Sequence, residues 1–112
     1  MHVAAEYGNV VAAALLLDRG ADVNARATVN EAGIGGQTAI FHAVTQFGDD
    51  GVPVTRLLLE RGADLSLRAK LPGDYERPGA IVECTPMGYA LLFGGESQER
   101  TVALLREWGA VE

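Results

Sequence analysis

The chain has 112 residues, 48% of them hydrophobic and only 6% aromatic. The 17 Ala, 13 Leu and 11 Val therefore outweigh seven aromatic residues, a composition that favours closely packed helices within one domain and excludes intrinsic disorder. Nine basic against fifteen acidic residues leave a formal charge of −6, which argues against nucleic acid as a partner because phosphate neutralisation requires a basic patch. The basic residues are scattered along the chain, most of them close to an acid. The longest apolar run, Val10 to Leu17, is closed by Asp18 and Arg19 and falls far short of the ~20 residues that cross a bilayer, so no membrane association is expected. The lone Cys84 excludes an intramolecular disulfide, and Met1 to Glu6 lack a basic-then-apolar leader, which gives a cytoplasmic expectation.

In chain order, two blocks recur three times. The first comprises Met1-His2-Val3-Ala4-Ala5, then Thr38-Ala39-Ile40-Phe41-His42-Ala43, then Thr85-Pro86-Met87-Gly88-Tyr89-Ala90. The second runs Leu15-Leu16-Leu17-Asp18-Arg19-Gly20-Ala21-Asp22, Leu57-Leu58-Leu59-Glu60-Arg61-Gly62-Ala63-Asp64, and Leu104-Leu105-Arg106-Glu107-Trp108-Gly109-Ala110. The glycines closing these blocks lie 42 and 47 residues apart. Each unit reads as a short helix, a turn, a second helix and a glycine stop. Thr38 and Thr85 suit N-caps, Pro86 suits the first helical position, and Gly20, Gly62 and Gly109 suit a left-handed helix end. Ala4, Ala43 and Ala90 share one place where a small side chain lets helices approach. The second helices carry an apolar stripe of Val10, Val11, Ala14 and Leu15, then Val54, Leu57 and Leu58, then Val102, Leu104 and Leu105.

These blocks resemble the ankyrin repeat, whose Thr-Pro-Leu-His start is echoed by Thr85-Pro86-Met87 and whose end matches Gly20-Ala21-Asp22-Val23-Asn24-Ala25. The resemblance implies an all-α solenoid of helix-turn-helix repeats with projecting loops or short hairpins. It covers one domain over residues 1–112, in units of about 1–26, 27–69 and 70–112. The family histidine is kept only at His2, with Phe41 and Gly88 in its place later. Nineteen steps separate Met1 from Gly20, but 22 separate Ile40 from Gly62 and Met87 from Gly109. Units two and three therefore share a three-residue insertion, around Gly48 to Gly51 and Gly95 to Gln98, where Asp50 or Ser97 could cap the second helix with Pro53 in its first turn.

A typical repeat has about 33 residues, so long loops remain at about 26–36 and 68–84. The first is glycine-rich and reads as flexible; the second has two Pro-Gly steps that favour tight turns. No catalytic or metal-binding set emerges. His2 and His42 have no ligand neighbours at useful spacing, Cys84 has no base, Asp49 and Asp50 fit a turn, and Gly33-Ile34-Gly35-Gly36 lacks the Lys and Ser/Thr of a phosphate loop. No cofactor is expected.

The resemblance implies binding of another protein through the first-helix face and the finger loops. By position, that assigns Glu6 and Tyr7, Thr45 and Gln46, and Leu92 and Phe93 to the helix face. Tyr75 and Arg77 in the second loop are of types enriched at binding hot spots. The first unit starts within its own motif, and Val3, Val10, Val11 and Ala14 form an apolar N-terminal side, so self-association through that end is a second expectation. Two alternatives stand beside the non-catalytic interaction module: a structural or capping stretch of a longer array, and a cysteine-dependent enzyme resting on Cys84.

Overall fold

The structure is a computed structural model that describes residues 4–5, 9–31, 33–46, 51–72, 81–94 and 99–111, with only the backbone of Pro72, Phe93 and Gly94. Helix α1 spans Val10–Asp18, α2 Ala39–Ala43, α3 Val52–Glu60, α4 Pro86–Gly94 and α5 Glu99–Glu107; strands β1 (Ala69–Pro72) and β2 (Ile81–Cys84) lie between α3 and α4. The chain is mostly helical, with a short hairpin.

The three second helices end in the same way for the same reason. Gly20, Gly62 and Gly109 have φ of +94°, +92° and +80°, a backbone region in which a Cβ is strained. That conformation turns the next amide back onto the helix: Ala21 N–H donates to the Leu16 carbonyl at 3.0 Å, Ala63 to Leu58 at 2.9 Å and Ala110 to Leu105 at 3.0 Å. Each glycine N–H caps a further carbonyl, so orphan acceptors at every end are satisfied. The helix starts differ more. Asn9 caps α1 by accepting from Ala12 N at 3.0 Å, Pro53 enters the first turn of α3, and Thr85 Oγ1 accepts from Gly88 N at 3.2 Å. Thr38, expected to act as Thr85 does, makes no cap bond, and its hydroxyl is buried without a partner among the described residues. Asp50 and Ser97 lie outside the described residues.

Helix α2 packs on α3 and α4 on α5, while α1, α3 and α5 stack as one row and α2 and α4 as another. Burial follows this stack. Ala43, Val44, Val54, Leu58, Ala90 and Leu105 are fully buried, and Phe41 of α2 meets Tyr89 of α4 with ring centroids 5.9 Å apart and planes tilted by 55°. A fully buried Leu or Phe side chain contributes about 1.5–3 kcal/mol, so the stacking contacts dominate stability. The stripe expected on α1 is a partial exception. Leu16 is 39% exposed and Leu15 49%, whereas Leu58 and Leu105, at the place of Leu16 in the later units, are 0% exposed. Val11 is 79% exposed, and only Ala13 of α1 is fully covered. The stripe is buried where a preceding helix lies on it, and no described residue lies on that side of α1.

The second long loop contains the hairpin. Strands β1 and β2 run antiparallel, with Ala69 opposite Cys84, Lys70 opposite Glu83, Leu71 opposite Val82 and Pro72 opposite Ile81. Alternation places Ala69, Leu71 and Cys84 against the body and Lys70, Glu83 and Ile81 outward. The first loop is also built up rather than loose. Ala27 N donates to the Gln37 carbonyl at 2.8 Å, Gly36 N to Ala27 at 3.1 Å and Asn30 N to Ile34 at 2.9 Å. Gly35 then exchanges two backbone bonds with Lys70, of 2.7 and 3.1 Å. The glycine-rich composition thus serves pairing: Gly35 has φ +136°, and a Cβ there would land on the Thr28 carbonyl oxygen.

Candidate functional site

Of the residues assigned to the helix face, Thr45, Gln46 and Leu92 are placed by the structure. Thr45 Oγ1 donates to the Phe41 and His42 carbonyls at 3.3 Å, and Gln46 Nε2 donates to the His42 carbonyl at 3.0 Å. Both side chains fold back on the end of α2, which leaves them half-buried and held in place. Leu92, at the matching place on α4, is also half-buried. Phe93 belongs to α4 by backbone alone, and Glu6, Tyr7, Tyr75 and Arg77 lie outside the described residues.

The best-ordered polar geometry lies where the units join. Asn24 Nδ2 donates to the Gly62 carbonyl at 3.1 Å, and its Oδ1 accepts from Asp64 N at 2.8 Å. Asp18 and Arg61 form an exposed ion pair of 2.7 Å across the same junction. Arg26 donates through Nε to the Gly36 carbonyl at 2.8 Å and through Nη2 to the Arg68 carbonyl. One guanidinium therefore fastens the first loop to the start of the second. Asp22 and Asp64 hold their own turns, accepting from Asn24 N and Ser66 N at 2.9 Å each. The Ser66 hydroxyl and amide lower the Asp64 carboxyl below its ordinary range.

Above this junction, the outward face of the paired loops forms a trough of about 360 Å³. Among the described residues, Gly33, Gly35, Gly36, Ala27 and Val29 line it, and Arg26, Arg68, Lys70 and Glu83 supply its charges. Basic residues that look scattered in sequence thus converge. Arg26 and Arg68 are 42 residues apart, the period of the first two units, so the repeat carried a signal that the list of basic residues alone hid.

The chemistry of single groups is quiet. Cys84 is 7% exposed, and burial pushes its thiol up, with the Arg68 charge pulling partly the other way. Burial, and then the neighbouring Cys84, also raise Tyr89. A buried thiol held protonated is a poor nucleophile. Among the described residues no cluster of His, Cys, Asp and Glu could hold a metal ion, and no helix is long and apolar enough to cross a membrane.

Comparison with protein-family models matches the Ankyrin repeat over residues 1–28 and 35–70, more than half of the chain. The chain belongs to the ankyrin repeat family. A sequence search of curated proteins finds no match. The family match ends at residue 70; beyond it, α4 and α5 again pack as a pair and Gly109 ends the second of them as Gly20 and Gly62 end theirs. Ankyrin repeats are generally protein–protein interaction modules and typically non-catalytic.

Proposed function

We propose that this chain is a non-catalytic protein-binding module, working in the cytoplasm, that engages a partner through the α2/α4 face and the two long loops. The side-by-side packing of α2 on α4 is the observation that carries this reading, because Thr45 and Gln46 sit in the turn that ends α2 and Leu92 sits on its neighbour α4. Glu6, Tyr7 and Phe93 join the proposed surface from their places in the repeat, and Tyr75 and Arg77 from their side-chain types in the second loop. Residues 1–112 act as one domain of three units with boundaries near 26 and 69. Side chains held by their own helices lose little freedom on binding, which favours affinity without a large interface.

The test uses Thr45→Arg and Leu92→Arg as baits beside the natural chain, with helix content matched by circular dichroism. Proteins cross-linked to the natural chain and lost from both variants support the reading; an identical set on all three baits refutes it. A second reading, self-association through the first unit, draws support from the exposure of Val11, Leu15 and Leu16. Sedimentation across a concentration series tests it: a monomer throughout rejects it, and Leu16→Glu should abolish any dimer.

A further inference from the structure

The trough over the paired loops gathers charged groups of mostly one sign. Among the described residues, three of the chain's nine basic residues line it, against one carboxylate, Glu83. Arg26 is immobilised by its two backbone bonds, so its charge is set before any ligand arrives. Arg68 and Lys70 are exposed, and the Asp18–Arg61 ion pair involves neither. Lys70 faces Glu83 directly across the strands without closing an ion pair.

Shape narrows the ligand further. A volume of about 360 Å³ equals roughly twelve waters, several times what a single oxyanion fills. The missing side chains at Gly33 and Gly36 leave room for a ligand backbone beside Arg26. Val29 beside the trough is 56% exposed, and Ile81, two residues from Glu83 on the same strand face, is 47% exposed. Cations in the middle and exposed aliphatic side chains at the margins suit a segment that alternates carboxylates with apolar residues.

We propose that this trough binds an acidic, extended segment of a partner protein, its carboxylates held by Arg26, Arg68 and Lys70. The proposal rests on the protein-binding reading and adds the chemistry of the partner.

Fluorescence anisotropy with a labelled ten-residue peptide of alternating Glu, Leu and Asp tests it, against the same peptide with Gln and Asn for the acids. Saturable binding of the acidic peptide is expected, weakened about tenfold or more in the amide peptide and in R68Q/K70Q, since charge-assisted hydrogen bonds are lost. E83Q should tighten binding about two- to fivefold by removing the opposing charge. R56A, in a separate depression between α3 and α5, should change nothing. The proposal is overturned if the acidic peptide does not bind, or if R68Q/K70Q and E83Q both leave its affinity unchanged. Inorganic phosphate competing at the same concentration as the peptide also overturns it, by reducing the trough to a simple anion site. Peptide failure leaves the cross-linking result on Thr45 and Leu92 standing, and loss of that result with peptide binding intact removes only the helix face.

Discussion

Asn24→Ala isolates the coupling between the first two units. Its side chain makes two bonds to the second unit, 3.1 Å to the Gly62 carbonyl and 2.8 Å from the Asp64 amide. The turn that Asp22 builds on the Asn24 backbone is untouched by the change. Each lost bond is worth about 0.5–1.5 kcal/mol net, and because both freed backbone groups can reach water the loss belongs near the lower half, about 1–2 kcal/mol in all. At roughly 4 °C per kcal/mol for a domain of this size, the midpoint should fall by about 4–8 °C. Asn24→Asp can still accept from Asp64 N but cannot donate to Gly62, so it should lose about half as much. Thermal melts followed by circular dichroism provide the assay, repeated at high salt. The Asn24 contribution should persist in salt, whereas that of the exposed Asp18–Arg61 pair, about 0–1 kcal/mol, should fade. An Asn24→Ala midpoint equal to that of the natural chain would show that stacked apolar surface alone joins the units.

Thr55 is fully buried with its hydroxyl unpartnered among the described residues, and Val102 stands at its place in the third unit. Thr55→Val should therefore stabilise by about 1 kcal/mol, read as a raised urea midpoint. Gly51 has φ −83° and ψ −13°, open to any residue, but a Cβ there would overlap the Ala43 carbonyl oxygen and reach 3.0 Å from Gln46 Cβ. Gly51→Ala should cost about 1–3 kcal/mol through overpacking alone. Gly62→Ala meets nothing within 4 Å but has φ +92°, so its cost of about 1–2 kcal/mol is backbone strain, and the two melts together separate the causes. Cys84 should alkylate more slowly than a free thiol, the rate climbing as pH rises past the ordinary value of 9.0. Arg68→Ala should slow it further by removing the charge that favours thiolate, and a faster rate would contradict that placement.

What the sequence disclosed was local. The glycine stops at 20, 62 and 109 are legible because only a positive φ closes that cap, and the buried Leu58 and Leu105 because helical period marks them. Thr38 looked equivalent to Thr85, yet capping depends on where the hydroxyl turns and which carbonyl comes near. Thr85 also donates to the Val111 carbonyl at 2.5 Å, a bond between residues 26 apart that no pattern announces. Leu16 looked like Leu58, but burial on a stack is a property of the neighbouring unit rather than of the helix itself. The glycine-rich loop was read as flexible because its Gly35–Lys70 pairing is non-local. For Thr45 and Gln46, the place in the repeat did not announce their bonds back to the His42 carbonyl.

The charge distribution gives the trough a particular way of selecting ligands. A body of net charge −6 repels an acidic segment at long range, while Arg26, Arg68 and Lys70 attract it at contact. At physiological ionic strength the Debye length is about 8 Å, so the repulsion is muted before the segment arrives and the short contacts are screened less. Capture then depends on fit at the surface rather than on steering from a distance. That fit depends on Gly35, because any side chain there would strain the backbone and strike Thr28, undoing the Gly35–Lys70 pairing that aligns the two loops. The same residue therefore holds the charged side of the trough in register.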